Sequence, residues 1–429
     1  MKKILSVVMV LILLPLVCAD WNMFMHDEEH TGFSDIDVGT VNTEIWNVNL
    51  TGKIYSSPAV VENTVYIGTS KYLYALDLNG NELWKKKMSI FGSSPTVVNN
   101  RIYIGTMKGY VYCLDTEGNT IWKIETNKDI TASPIVYKGK VFIGSWNSLF
   151  YCLDAETGDI NWKYVAKMAV KTSAAVWNER IFIVLQNEFY RDELHCIDLD
   201  GNRVWMYETA HIPKGSCPPG MSSQFITSSP TIYNDRVYFG SGKKKIYCLD
   251  CKTGEPFWEF KTEASELMEE HAEGDRIIST LSVASGKVYF GSWNNKVYCL
   301  DANSGTEEWT FPTGGTVISS PAISDGIVHI GCLDGRFYCL EATNGNLLGG
   351  FETGNVIGAP AISNSYVFVP GSSKLYCLGE KGGSASTEKK ETQPAEKHGD
   401  QEKKNNKIYY IIAAVIGIVL LIAVGMKRR

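Results

Sequence analysis

The stretch GTMKGYVYCLDTEGNTIW, residues 105–122, recurs in recognisable form through most of the 429-residue chain. Clear copies begin at Gly144, Gly240 and Gly291. Aligning on the residue before the Leu-Asp pair or its variants gives eight copies, at Ala75, Cys113, Cys152, Cys196, Cys248, Cys299, Cys339 and Cys377. The spacings are 38, 39, 44, 52, 51, 40 and 38 residues. Such a period predicts a repeat architecture and not a set of unrelated domains.

Each copy divides into four short β-rich runs, which in the first copy are residues 57–61, 65–69, 73–77 and 82–86. Four strands per repeat of about forty residues are typical of a β-propeller blade. The runs are apolar at nearly every position, which suits sheets covered on both faces by neighbouring blades. We therefore predict an all-β, eight-bladed propeller of four-stranded antiparallel blades over residues 20–380.

The fourth run of most copies contains a tryptophan. The copies place it at Trp84, Trp122, Trp162, Trp205, Trp258 and Trp309, whereas the seventh has Gly349 and the eighth ends before a fourth run. Residues 44–48, EIWNV, look like a fourth run with no copy before it. We infer that this N-terminal strand pairs into the eighth blade and closes the ring, since an open ring would expose unpaired strand edges. Small residues such as Ser56 and Ser57 precede most first runs and suit a crowded position near the axis.

Two segments outside the repeats indicate cellular placement. Residues 1–19 have a basic start, an apolar run and a small residue at Ala19, as in a secretory signal peptide. Residues 408–426 carry no charge, are long enough for a transmembrane helix and precede the basic tail 427–429. Residues 381–407 are polar, lack aromatic residues and predict a disordered stalk. We expect a single-pass protein of the cell membrane with its propeller on the extracytoplasmic side.

The pattern Cys-Leu-Asp-x-x-Thr-Gly-x-x-x-Trp, as in residues 152–162, resembles the repeat of the pyrroloquinoline-quinone (PQQ) propeller superfamily. This group includes quinoprotein alcohol dehydrogenases and a non-enzymatic lipoprotein of the bacterial outer-membrane-protein assembly machine. Residues 21–34 are similar to the segment that precedes the first blade in many members. The resemblance implies the fold, but a shared fold does not determine chemistry.

Resemblance to the dehydrogenases would imply a vicinal Cys-Cys pair beneath the quinone, calcium-binding carboxylate and Asn groups, and an Asp base. No two cysteines are adjacent in this chain. The enzymes are also longer, with elaborated blades that would carry their active-site loops. We therefore expect no catalytic, cofactor-binding or metal-binding residues, and neither PQQ nor calcium.

Seven of the eleven cysteines occupy the same repeat position in successive blades. Facing sheets lie roughly 10 Å apart, whereas a disulfide needs Cα atoms about 4.4 to 6.8 Å apart. We expect buried thiols at these seven positions. Cys248 and Cys251 have the spacing of a redox or metal motif, but no second such pair accompanies them, and we favour a structural role. Cys217 and Cys332 stand outside the repeat position and are left as candidates for a bond.

His26, Asp27 and His30 could form a small metal site. The same stretch is explained more simply as a polar cap over one face of the ring, and we favour the cap. The charge balance, 41 basic against 47 acidic residues, provides no electrostatic basis for binding nucleic acid.

Loop lengths indicate where a partner would bind. The two longest excursions, residues 207–225 and 262–278, are interblade connections, and residues 186–192 form an enlarged connection between second and third strands. Both kinds of connection emerge on one face of a propeller, so we predict a binding face there. Its candidate residues are Trp146, His211, Lys214, Glu266, Glu269, Glu270 and Trp293. The alternative is that these loops are neutral insertions, which cost little entropy.

Two functions fit the sequence. The first is a membrane-anchored, non-catalytic scaffold that binds an envelope or extracellular protein, which the anchor, the stalk and the missing catalytic constellation favour. The second is a PQQ-dependent quinoprotein dehydrogenase of the extracytoplasmic space, which only the superfamily resemblance supports. We prefer the scaffold.

Overall fold

The computed structural model describes residues 20–39, 41, 43–186, 191–209, 228–242, 244–263 and 277–379. These residues form strands and turns, and among them no helix could span a membrane. The predicted signal peptide, stalk, membrane span and cytoplasmic tail all lie outside the described residues.

The strands form eight sheets around an axis, and we number the blades in chain order. Two strands precede the first blade: β1 (Phe33–Ser34) and β2 (Thr43–Asn49). Blades 1 and 2 comprise β3–β6 (Ala59–Val61, Thr64–Gly68, Tyr72–Asp77, Glu82–Lys87) and β7–β10 (Thr96–Val98, Arg101–Gly105, Tyr110–Asp115, Thr120–Glu125). Blades 3 and 4 comprise β11–β14 (Ile135–Tyr137, Lys140–Ser145, Leu149–Asp154, Ile160–Val165) and β15–β18 (Ala175–Trp177, Arg180–Gln186, Asp192–Asp198, Arg203–Glu208).

The other four blades have the same plan. Blades 5 and 6 comprise β19–β22 (Thr231–Tyr233, Arg236–Gly240, Lys245–Asp250, Pro256–Lys261) and β23–β26 (Ser282–Ala284, Lys287–Ser292, Lys296–Asp301, Glu307–Pro312). Blades 7 and 8 comprise β27–β30 (Ala322–Ser324, Ile327–Gly331, Arg336–Glu341, Leu347–Glu352) and β31–β33 (Ala361–Ser363, Tyr366–Pro370, Lys374–Gly379), to which β2 is added. The predicted eight-bladed, all-β propeller of four-stranded antiparallel blades is confirmed.

Blade 8 is completed by the N-terminal strand, as predicted. Strand β2 pairs antiparallel with β33, with Trp46 opposite Cys377 and Val48 opposite Leu375. The sheet order is β2-β33-β32-β31, so the outer strand of blade 8 comes from the start of the domain. The ring is therefore closed by hydrogen bonds between the two ends of the propeller.

The repeat tryptophan connects each blade to the next. Its indole Nε1 donates to a carbonyl in the turn between the third and fourth strands of the following blade, over 2.7 to 3.2 Å. Its ring packs on the glycine of that turn. Gly158, for example, has φ +78°, and a Cβ there would lie 2.7 Å from Trp122. The Trp and Gly of the repeat are therefore two halves of one contact between blades.

Gly349 is the exception, and its position explains it. Blade 8 has no chain-continuous turn between its third and fourth strands, because its fourth strand is β2. The tryptophan's usual partner is thus missing at the junction of blades 7 and 8. The carbonyl of Val41, just before β2, lies 3.6 Å from where a Cβ on Gly349 would be. The seventh repeat, which has glycine in place of the tryptophan, is therefore the one whose outer strand lies next to blade 8, where the ring is closed.

A ring of hydroxyl groups surrounds the axis. The backbone N–H of one blade donates to the Ser or Thr hydroxyl of the next at seven of the eight junctions, over 2.8 to 3.3 Å. The participating hydroxyls are those of Ser57, Ser94, Ser133, Ser173, Ser229, Thr280 and Ser320. At the junction of blades 7 and 8 the corresponding residue is Ala359, which has no hydroxyl. There the Ser319 hydroxyl donates to the carbonyl of Gly358 over 2.9 Å. The predicted crowding near the axis is confirmed, and the ring explains why hydroxyl residues occupy it.

The repeat cysteines are buried thiols, as predicted, and burial raises the pKa of Cys152 to about 11. Cys248 and Cys251 face opposite sides of blade 5, since Cys248 packs with residues of blade 6 and Cys251 with residues of blade 4. They therefore do not converge on one site. Cys332 is also a buried thiol, and its Sγ donates to the Gly315 carbonyl over 3.1 Å. Cys217 lies outside the described residues.

Candidate functional site

One face of the ring carries the turns between second and third strands together with the interblade connections, and we call it the loop face. The strand bounds confirm that the three long excursions are of the predicted kinds, because β16 and β17, β18 and β19, and β22 and β23 flank them. The excursions themselves are only partly described. His211, Lys214, Glu266, Glu269 and Glu270 lie outside the described residues.

A funnel opens on the loop face around the axis and has a volume of about 300 Å³. All eight blades contribute to its wall, largely through the hydroxyl ring and neighbouring aliphatic and aromatic residues. The lining residues are Phe24, Tyr55, Ser57, Phe91, Gly92, Thr131, Ser133, Lys171, Ser173, Ser229, Ile278, Thr280, Ile318, Ser320, Ile357, Gly358 and Ala359. This described lining contains one cation and no carboxylate.

Trp146 lies at the rim of the funnel. Its indole Nε1 donates to the Thr131 hydroxyl over 3.0 Å. The Lys171 ammonium lies 4.8 Å from the centre of the indole ring, in a cation–π contact. Burial lowers the pKa of Lys171, because the charged form loses part of its hydration. The predicted residue Trp146 is thus part of a cluster with Thr131 and Lys171 that sequence reasoning did not find.

Trp293 occupies the corresponding turn of blade 6 and is half-buried. Its neighbour Asn294 fixes this turn, donating to the Tyr298 hydroxyl over 2.6 Å and to the Glu263 carbonyl over 3.1 Å. Trp293 does not line the funnel. The structure therefore places both predicted tryptophans on the loop face but does not bring them together.

Two aromatic residues of the rim were also missed by sequence reasoning. Tyr55 and Phe91 precede the inner strands of blades 1 and 2, and their rings are 4.4 Å apart. Phe91 is 37% exposed. The available signal was position in the repeat, because Tyr55, Phe91, Thr131 and Lys171 all lie two or three residues before a residue of the hydroxyl ring.

The N-terminal segment, residues 20–34, runs along the inner strands of the ring. Its backbone bonds to the inner strands of six blades, at Val60, Val97, Val176, Ile232, Val283 and Ile323, over 2.7 to 2.9 Å. Strand β1 continues this contact by pairing in parallel with β27. Inner strands are sheet edges, so the segment provides partners for backbone groups that would otherwise face the channel. Phe24 of this segment lines the bottom of the funnel.

The segment around His26, Asp27 and His30, predicted to form a polar cap over one face of the ring, runs along the inner strands instead. Trp21, Met23 and Met25 are buried within the ring. His30 is also buried, and its Nδ1 lies 3.0 Å from the Pro230 carbonyl. Burial lowers the pKa of His30 to about 4, so its imidazole is neutral at pH 7 and Nδ1–H donates to this carbonyl. Asp27 accepts hydrogen bonds from the Thr31 backbone and hydroxyl. The His30 bond therefore adds a side-chain contact to the main-chain bonds that hold the segment in the ring.

Comparisons with known proteins place this architecture among its relatives. The family model described as "Outer membrane protein assembly factor BamB" matches residues 69–282 and 277–398. A quinohemoprotein alcohol dehydrogenase of Comamonas testosteroni is 28% identical over 88 residues, which is 20% of this chain and 12% of that enzyme. The dehydrogenase subunit of a quinone alcohol dehydrogenase of Gluconobacter oxydans (strain 621H) is 26% identical over 119 residues, or 26% of this chain and 16% of that protein. The chain thus covers less than a fifth of either relative.

Solved structures show the same fold. The crystal structure of the Comamonas testosteroni enzyme matches with a TM-score of 0.71 at 15% identity, covering 89% of this chain and 83% of that one. BamB from Moraxella catarrhalis matches with a TM-score of 0.61 at 14% identity, covering 80% of this chain and 99% of that one. Since the two stretches of the family match together span residues 69–398 of 429, the chain belongs to the PQQ-repeat β-propeller family that includes BamB.

Proposed function

We propose that this protein is a non-catalytic scaffold that binds another protein through its loop face. The observation that carries the proposal is the composition of the funnel. A PQQ site with calcium needs oxygen ligands for the metal, chiefly carboxylates and amides. The described lining offers hydroxyl, aliphatic and aromatic groups and Lys171, so its residues do not fit a calcium-bound quinone.

The loop face has features that suit protein binding. Aromatic and cationic side chains lie together at the rim of the funnel and are partly exposed, namely those of Tyr55, Phe91, Trp146 and Lys171. Aromatic residues are enriched at the centres of protein interfaces. The rim is rigid, because its residues adjoin the hydroxyl ring, and rigid presentation lowers the entropic cost of association.

We further propose the cellular setting that the sequence predicts. Residues 1–19 direct export, and residues 408–426 anchor the chain in the cell membrane. The predicted stalk, residues 381–407, connects this anchor to the propeller, which binds an envelope or extracellular protein. The alternative function is a PQQ-dependent dehydrogenase, which the relationship to two quinoprotein alcohol dehydrogenases favours.

The proposal is tested by affinity capture from solubilised membranes of the source cells with the full-length protein as bait. The loop-face variant combines Trp146→Ala and Trp293→Ala with Glu266→Gln, Glu269→Gln and Glu270→Gln. We expect it to lose the captured partner while its melting temperature changes little, because Trp146 and Trp293 lie in turns between strands. The control combines Lys138→Ala and Glu179→Gln, an ion pair between first-to-second-strand turns of blades 3 and 4 on the opposite face. Loss of the partner from both variants, or from neither, would contradict binding through the loop face.

A further inference from the structure

A second concave site lies on the loop face between blades 1 and 2, and we call it the lysine–tyrosine groove. Its volume is about 750 Å³. The second-to-third-strand turns of both blades, the end of β6 and parts of β9 and β10 form it. The lining residues are Ser70, Lys71, Tyr72, Lys87, Met88, Ser89, Thr106, Lys108, Tyr110, Tyr112 and Lys123.

The backbone of the groove is held in place by hydrogen bonds between its walls. The Met88 N–H donates to the Lys71 carbonyl over 3.1 Å, and the Met107 N–H donates to the Ser89 carbonyl over 2.9 Å. The first bond connects the end of β6 to the turn between β4 and β5 in blade 1. The second connects the turn between β8 and β9 in blade 2 to the connection between blades 1 and 2. The groove is therefore a preformed feature of the blade junction.

Four lysines line the groove, and none of its lining residues is acidic. Strand β6 ends in Lys85, Lys86 and Lys87, whereas the corresponding run in blade 2 is Lys123, Ile124 and Glu125. Lys85 pairs with Glu82 over 3.0 Å and Lys86 donates to the Gly118 carbonyl. Lys71, Lys87, Lys108 and Lys123 form no ion pair with a carboxylate of the described residues. Their charges are available to a ligand.

The surrounding charge restricts what the groove can hold. The whole chain carries a formal net charge of −6, so its wider field opposes a long polyanion such as nucleic acid. Four local ammonium groups instead suit a short anionic stretch whose charges stay within the groove. Lysine is a flexible point charge and gives none of the bidentate geometry with which arginine recognises phosphate or carboxylate. The tyrosine rings add apolar area of the kind that protein interfaces use, and Lys123 lies 5.2 Å from the centre of the Tyr110 ring.

We propose that the lysine–tyrosine groove binds an acidic segment, rich in Asp and Glu, of the partner protein. This inference rests on the proposed scaffold function and names the chemistry of the partner. Carboxylates of the segment pair with Lys71, Lys87, Lys108 and Lys123, and its apolar side chains cover Tyr110 and Tyr112.

The test measures binding of a fluorescent peptide of alternating Glu and aromatic residues to the full-length protein in a non-ionic detergent, by anisotropy. We expect saturable binding that weakens as the salt concentration rises from about 0.01 M to about 0.15 M. The groove variant combines Lys87→Gln, Lys108→Gln and Lys123→Gln and is expected to bind about tenfold more weakly or worse. Arg at the same three positions should keep binding, which separates charge loss from misfolding.

The matched control removes three lysines elsewhere, by Lys138→Gln, Lys163→Gln and Lys252→Gln. Each of the control lysines lies over an aromatic ring, as Lys123 does in the groove, and the loss of net charge is identical. The control should bind the peptide as the parent does. Equal weakening of both variants, absence of peptide binding, or binding of inorganic polyphosphate without the peptide would each overturn the proposal. If the peptide does not bind but the capture experiment shows binding through the loop face, the groove proposal is wrong and the scaffold function is still supported.

Discussion

Deletion of residues 20–50 is expected to abolish the cooperative thermal unfolding of the propeller. The deletion removes β2, the outer strand of blade 8, and with it the pairing of Trp46 and Val48 with β33. It also removes the backbone bonds of the N-terminal segment to six inner strands. The ring then has an open edge on β33 and unpaired groups in its channel, so the chain should aggregate.

A shorter deletion of residues 20–42 separates the two contributions. It keeps β2 and the closed ring but removes the bonds to the inner strands. We expect this variant to melt cooperatively at a reduced temperature, because it loses these backbone bonds while the ring stays closed. Calorimetry of the three proteins measures both effects. An unchanged melt after deletion of residues 20–50 would show that blade 8 is closed in another way.

Trp122→Ala is expected to lower the free energy of unfolding by about 3 to 5 kcal/mol, the usual range for a large aromatic residue removed from a packed site. Trp122 is 9% exposed, packs on Gly158 and donates to the Ala155 carbonyl over 3.1 Å. The change leaves a cavity between blades 2 and 3 and removes the hydrogen bond between them. Denaturant titration of the full-length protein measures the change.

Ile121→Ala is the matched control, because Ile121 is the adjacent residue of the same outer strand and is 44% exposed. Its substitution should change stability by no more than about 0.5 kcal/mol. Similar losses for the two variants would mean that the repeat tryptophan does not connect the blades in the way described.

The fold could be predicted from the sequence because its signals are repeated. Eight copies locate eight blades, and the EIWNV stretch with no copy before it locates the closing strand. The first-blade runs differ from β3–β6 by one or two residues at their ends. The absence of tryptophan at Gly349 was visible in the sequence, but its cause was not. The cause is that blade 8 lacks the turn between third and fourth strands to which the tryptophan would donate.

Contacts between blades were harder to predict. Small residues before the first strands indicated crowding, yet the hydroxyl ring requires N–H and Oγ groups some forty residues apart in sequence, such as those of Ser94 and Ser133, to be neighbours. The N-terminal segment was expected to form a polar cap because His26, Asp27 and His30 are conspicuous. Its bonds to the ring are instead mostly main-chain bonds, which no side-chain pattern reports.

The candidate site was predicted only in part for the same reason. Trp146 was placed on the loop face by its turn, whereas its partner Lys171 comes from the next blade. The groove joins Lys87 to Lys108 and Lys123 across a blade junction, so its charge is dispersed in the sequence. Loop lengths indicated the loop face. The residues of the groove and of the Trp146 cluster come from neighbouring blades, so they become neighbours only in the folded ring.

The central claim is that the protein is a non-catalytic scaffold, and PQQ loading tests it most directly. The full-length protein is incubated with PQQ and calcium, bound quinone is followed by its absorbance after removal of excess, and dye reduction is measured with alcohols and sugars. We predict no retained quinone and no dye reduction above the protein-free control. Retention of PQQ together with substrate-dependent dye reduction would contradict the claim and show that the propeller is a quinoprotein dehydrogenase.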